Sequence, residues 1–220
     1  MNTDWDTLGP VLLDSIGQTL WMVTATLVVG GVLGLLLGIL LYTTRPQGLW
    51  ANRVVHTVLN VVVNIIRPIP FIIFITAIGP LTITVVGTQL GTAAATFALV
   101  LAATFGISRI VEQNLVTIDP GVIEAARAMG ASPLRIIVTL LVPEALGPLI
   151  LGYTFVFVAV VDMSAVAGAV GGGGLGDFAI TYGYHQFDWT VTAVAVVLMI
   201  VLVQVVQFLG NRLASAALRR

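Results

Sequence analysis

The chain has 220 residues, 58% hydrophobic and only 9% charged, with nine basic and ten acidic groups. Soluble domains carry about 25% charged residues, so there is too little polar side chain to cover a water-facing globule, and too much apolar side chain for disorder. A net charge of −1 with no basic block excludes nucleic acid as a partner. There is no cysteine, which excludes disulfides and thiolate metal sites. All nine basic residues are arginine, so the lysine of a G-x-x-x-x-G-K-[ST] phosphate loop is missing and any ATP is bound by another chain.

The first ten residues, MNTDWDTLGP, are acidic and lack the positive start of a secretory signal. A bilayer core takes about 20 apolar residues per helix. The charge-free run from Ser15 to Thr44 holds a first, retained span at about 17–42. After the loop 43–53 a second span is predicted over 54–79. On it Asn60 and Asn64 follow His56 at four and eight residues, a polar seam between helices. His56 has no second histidine or nearby carboxylate for a metal site. Gly79-Pro80, Gly87 and Gly91 break the chain before a third span at 92–111, with Arg109 at its edge.

The long loop 112–142 is ordered by its own sequence. Asp119 caps a helix opened by Pro120; it passes through Val122, Ile123, Ala126 and Met129 and stops at Gly130. Ser132-Pro133 repeats the start signal, with Leu134, Ile137, Val138 and Leu141 on one face. Glu124 and Arg127 stand three apart in the favourable order for a surface pair. Such a helix-turn-helix is either a docking knob or a tidy connector.

Pro143 leads into a fourth span, 143–167, which carries Asp162. Arg67 and Asp162 are the two ionisable residues well inside spans, and an intramembrane charge marks a functional site by default. Counting helical steps from Val54 and from Gly147 puts both roughly 20 Å from the same surface. Either they pair inside the bundle, or Arg67 bonds carbonyls freed by Pro68 and Pro70 while Asp162 faces water. Gly171, Gly173 and Gly176 fit G-x-G-x-x-G but lack a preceding strand, and read as a flexible outer loop. Trp5, Trp21, Tyr182, Tyr184 and Trp189 read as interfacial anchors, and a fifth span follows at 190–209.

The expected architecture is all-α and integral to the membrane: five transmembrane helices in a single domain, 1–220. Arg45, Arg53, Arg127, Arg135, Arg212, Arg219 and Arg220 fall on one side, and Asp4, Asp6, Asp14, Asp177 and Asp188 on the other, which has no arginine. The positive-inside rule then places the N-terminus outside and the C-terminus in the cytoplasm.

One motif carries a resemblance. Glu124-Ala125-Ala126, three residues, Gly130, nine residues and Leu140-Leu141-Val142-Pro143 closely resemble the EAA motif of ATP-binding-cassette importer permeases, with Leu140 and Val142 in place of the family's Ile and Leu. The stretches 41–46, 67–73, 128–133 and 168–176, with the length and the five spans, resemble the methionine-importer branch. The resemblance implies a type I importer permease in a bacterial inner membrane, embedded in lipid. It implies a second copy of the chain, two cytoplasmic ATPase subunits holding ATP and magnesium, and an extracytoplasmic binding protein or lipoprotein. This chain itself would hold no cofactor and catalyse nothing. Coupling to the ATPase would fall to Glu124, Ala125, Ala126, Arg127, Met129, Gly130 and Pro143. The path would run by Arg67, Asp162, Met163 and Val166, the last two offering a thioether an apolar surface; Asp162 departs from the small or neutral residue expected there. The implied cargo is methionine, D- and L-. The alternatives are another polar amino acid or small organic ion, or a stand-alone channel. Scattered acids and only two histidines argue against an intramembrane enzyme.

Overall fold

The computed structural model describes residues 3–218. Arg219 and Arg220, counted on the arginine-rich side above, lie outside the described residues.

Helix α1 runs over Trp5–Thr44 as one 40-residue unit with a π-helical turn at Thr26–Gly30. It starts twelve residues before the expected boundary because a search for charge-free sequence stops at Asp14. The helix does not stop there: Asp6 and Asp14 occupy exposed positions, and Asp4 caps the first turn by accepting the Asp6 N–H at 3.2 Å. Helix α2 is Arg53–Ile66, capped by Asn52, whose Oδ1 accepts the N–H groups of Val54 and Val55 at 3.1 Å. Helix α3, Phe71–Ala77, leaves α2 at an angle of 109°. The single span expected over 54–79 is therefore two helices. Pro68 and Pro70 have no N–H to continue the ladder, and a tight turn closed by Ile69 N–H on the Ile66 carbonyl redirects the chain.

Helix α4, Gly79–Val86, and a turn with left-handed Gly87 lead to α5, Thr92–Val116. It outruns the expected 92–111 because Arg109 and Glu112 are bonded within the fold. The long loop thus begins at Thr117. Next come α6, Pro120–Ala128, and the four-residue α7, Pro133–Ile136, which continues as a π-helical turn, Ile137–Leu141. Helix α8 is Leu146–Ala167, α9 is Gly174–Phe178, and α10 is Trp189–Leu218, nine residues longer than the predicted span at its C-terminal end.

Among the described residues four helical units, Trp5–Thr44, Thr92–Val116, Leu146–Gly172 and Trp189–Leu218, are long and apolar enough to cross a bilayer. Counting the bent α2–α3 pair as one broken span gives five. The main core is built by α1, α5 and α8, with Ile107, Val111, Leu115, Leu141 and Val160 fully enclosed. The α1–α5 contact rests on Gly34 and Gly38. A Cβ at Gly34 would lie 2.6 Å from Ile107 Cβ, and one at Gly38 would lie 2.5 Å from the Ser108 carbonyl oxygen. In lipid the hydrophobic effect does not drive helices together, so this close approach supplies the attraction instead.

The stretch 168–176 is not the flexible loop expected from its glycines. Gln18 Oε1 accepts the Gly174 N–H at 2.7 Å, Thr19 Oγ1 accepts the Leu175 N–H at 2.8 Å, and Leu175 and Phe178 are buried. Its glycines serve close packing: a Cβ at Gly176 would lie 2.3 Å from the Ala165 carbonyl oxygen. Nearby, Thr3 is tied to the start of α10, its Oγ1 donating to Asp188 Oδ2 at 2.8 Å. That hydroxyl draws the Asp188 carboxyl below the ordinary aspartate range; partial desolvation opposes it, and the N–H groups of Val191 and Thr190 reinforce it.

Candidate functional site

Two features stand out, one at the arginine-rich end and one within the apolar spans. The first is the α6–α7 projection. Its start and stop follow the sequence signals: Asp119 Oδ1 accepts the Gly121 N–H at 2.8 Å, Gly130 adopts φ +79°, and Ser132 caps α7 by accepting the Arg135 N–H at 3.4 Å. Ile123 and Ala126 pack down on the main core. Glu124, Ala125, Arg127, Met129 and Gly130 face outward, with Met129 82% exposed, and Pro143 is exposed beyond them. Val122, Leu134 and Val138 are exposed as well. Apolar side chains standing free beside charged ones are what a docking surface presents.

Glu124 and Arg127 do not pair. Arg127 Nη2 donates instead to the Gly48 carbonyl at 3.1 Å, because the loop after α1 folds back beneath α6 and offers a fixed acceptor. Gly48 is held in turn by its N–H on the Arg45 carbonyl at 2.8 Å. A recess of about 500 Å³ separates the two segments, lined by Tyr42, Arg45, Pro120, Ile123, Glu124 and Arg127. Arg45 stacks over the Tyr42 ring at 4.0 Å.

The second feature lies where α2, α3, α5 and α8 meet. Arg67, at the Pro68–Pro70 break, and Met163 line one cavity of about 230 Å³ with Phe71, Phe74, Ala102 and Gly106. Val166 is half-buried one turn further along α8. Asp162 is exposed, outside this cavity, and no Arg67–Asp162 pair forms among the described residues. Arg67 and Met163 share one cavity, so the two helices do meet at this depth, but Asp162, next to Met163, is on the exposed side of α8.

Among the described residues the ion pair that does form is Arg109–Glu112 on α5, at 2.5 Å, with side chains 15% and 12% exposed. Arg109 Nη2 also donates to Asn60 Oδ1 at 2.7 Å and to Asn64 Oδ1 at 2.6 Å, and Asn64 Nδ2 donates to Asn60 Oδ1 at 3.1 Å. The asparagine seam read from the sequence therefore exists. Its partner, Arg109, falls at the edge of the third span expected from the sequence, and Glu112 at i+3 is the signal that its charge is compensated in place. His56, on the same helix, faces the Leu41 carbonyl through Nδ1 at 3.2 Å. No group of three or more His, Asp or Glu that could hold a metal occurs among the described residues.

The profile of the family described as binding-protein-dependent transport system inner membrane component matches residues 30–219. The chain belongs to that family. Among individual members of this inner-membrane transport family, it is 46% identical to the probable D-methionine transport system permease protein MetI of Vibrio cholerae, over 92% of this chain and 90% of the relative. It is 42% identical to the methionine import system permease protein MetP of Bacillus subtilis, over 80% and 79% of the two chains. A solved chain from inward-facing conformations of the MetNI methionine ABC transporter superposes with a TM-score of 0.94 at 39% identity, covering 98% of this chain and 99% of that one. A chain from an amino acid ABC transporter, 18% identical with a TM-score of 0.73, shares the fold. The chain is thus a multi-pass transport component of a bacterial inner membrane with the type I permease fold.

Proposed function

We propose that this chain is the permease subunit of an ATP-driven importer of methionine, D- and L-, working as a pair of copies with two separate ATPase subunits. The observation that carries the reading is the α6–α7 projection with its EAA-type sequence, outward Glu124, Ala125, Arg127, Met129 and Gly130, on a chain matched by the transport family over residues 30–219. The names of the relatives supply the substrate and the ATPase partner. ATP and magnesium belong to that partner. An extracytoplasmic binding protein delivers the amino acid, lipid surrounds the spans, and the arginine-rich end faces the cytoplasm where the ATPase docks.

In this reading α6 sits in a groove of the ATPase, and nucleotide-driven movement of that groove is passed to the spans through the Ile123 and Ala126 packing and the Arg127–Gly48 bond. The path opens along Arg67, Asp162, Met163 and Val166. The test is Gly130→Asp. A Cβ at Gly130 meets nothing within 4 Å, but φ +79° is strained for any residue with a side chain. Membrane insertion survives, while co-purification of the ATPase and methionine uptake in proteoliposomes are lost. Uptake equal to the unmodified protein overturns the docking assignment. Uptake of another amino acid or small organic ion in preference to methionine changes the cargo alone, and uptake without ATP replaces the importer with a channel.

A further inference from the structure

The Arg109 cluster does more than neutralise a charge in lipid. It holds a cation and an anion in contact, on a face that both α2 and α5 leave partly open, with Asn64 exposed and Asn60 half-buried. Its hydrogen bonding is also incomplete. Asn60 must turn Oδ1 to the guanidinium, since that atom accepts from both Arg109 and Asn64, and this leaves its Nδ2 without a partner among the described residues. Glu112 accepts through Oε2 alone, so Oε1 is unbonded among the described residues. One free donor beside a cation and one free acceptor on an anion match a ligand carrying both charges. A simple cation or anion entering here strands the opposite group, which is costly away from water.

One helical turn from Arg109 on the same helix stands Gly106. It lines the cavity of about 230 Å³, whose wall is apolar at Phe71, Phe74, Ala102 and Met163 and carries the exposed Arg67 on one side, and a Cβ added at Gly106 meets nothing within 4 Å. The cavity is smaller than the roughly 300–1,000 Å³ of drug-sized pockets and suits one short apolar chain. A charged grip and an apolar slot thus lie about 5 Å apart along α5.

We infer that Arg109, Glu112, Asn60 and Asn64 form a binding station for the zwitterionic head of a free α-amino acid whose uncharged side chain lies in the cavity beside Gly106. Arg109 and Asn60 Nδ2 donate to the α-carboxylate, and Glu112 Oε1 accepts from the ammonium. The station lies about 10 Å from the Val116 end of α5, on the arginine-rich side of the Arg67 break. It rests on the import reading above and adds to it where the cargo pauses and which atoms it offers.

The experiment is saturation-transfer NMR of L-methionine, N-acetyl-L-methionine and glycine with the permease–ATPase complex in lipid nanodiscs. The unmodified complex saturates methionine and disfavours the N-acetyl compound, which lacks the ammonium. Glu112→Gln weakens methionine about tenfold, the size of one charge-assisted bond, and erases the discrimination. Gly106→Leu fills the slot, removing the methionine signal and sparing glycine, a size dependence that a purely structural role does not produce. Methionine saturation unchanged in both variants, with ATPase co-purification and melting temperature intact, overturns the station. So does an unmodified complex that imports methionine and never saturates it. Should Glu112→Gln not assemble, Gly106→Leu decides alone. An unmodified complex that imports no amino acid refutes the import reading itself.

Discussion

Two arginines sit in the apolar part of this protein, and the fold treats them in opposite ways. Arg109 lies inside an unbroken helix and is surrounded: Glu112 one turn on, Asn60 and Asn64 from the facing helix. Arg67 lies at the end of a helix that Pro68 and Pro70 terminate; it is exposed at the mouth of a cavity and has no ion partner among the described residues. The difference shows two physical solutions for a charge that lipid does not solvate. One compensates it with a counter-charge and carboxamides at helical spacing, which fixes two helices together. The other places it at a backbone break, where it contributes little to cohesion and stays available to whatever enters the cavity.

The contrast can be broken by mutation. Arg109→Ala leaves Glu112 uncompensated and costs about 3–5 kcal/mol, read as loss of thermal resistance in detergent. Converting both Arg109 and Glu112 to Leu regains most of that, because no lone charge remains. If the single variant melts like the unmodified protein, the cluster is not a clamp between α2 and α5. Arg127→Ala, losing a bond from an exposed guanidinium to the Gly48 carbonyl, costs about 1 kcal/mol and lowers ATPase-coupled uptake more than melting. Arg67→Ala changes stability by no more than about 0.5 kcal/mol and reduces uptake; equal losses at positions 67 and 109 would erase the distinction.

The smallest effect concerns a charge outside the membrane. The Asp188 carboxyl sits below its ordinary value, so its contribution to folding is present above that value and disappears as pH falls through the lower, folded one. Amide exchange over residues 3–8 quickens in that acidic window as the Thr3 tie loosens. In Asp188→Asn the dependence on pH is flat.

Much of this was legible in the chain itself. The α6 start at Asp119-Pro120 and stop at Gly130 are local events, decided within a few residues by capping geometry and a left-handed turn, and the structure keeps them. Asn60 and Asn64 at four-residue spacing announced a seam and became one. Other features misled for identifiable reasons. The glycines of 168–176 signal flexibility when read alone, yet here they bring backbone against backbone, a property of the neighbouring segment and not of their own sequence. Gly34 and Gly38 bring α1 against α5 in the same way, and which helix they meet is a tertiary matter. Glu124 and Arg127 had the right spacing to pair, and the acceptor at Gly48, 79 positions away in sequence, won.

The sparse charge set the outcome at the outset. With 9% charged residues the chain is committed to lipid, and with no lysine it has no phosphate loop of the G-x-x-x-x-G-K-[ST] kind. Hydropathy, the sorting of arginine from aspartate and the EAA-type spacing are one-dimensional properties, so the sequence alone determined the class of protein and the position of the α6–α7 projection. Only the tertiary structure decided which charges meet. Two residues at equal depth pair only if they face one another, and Asp162 is exposed outside the cavity that Arg67 and Met163 line. Arg67 was thereby kept from Asp162, and the paired site was built around Arg109.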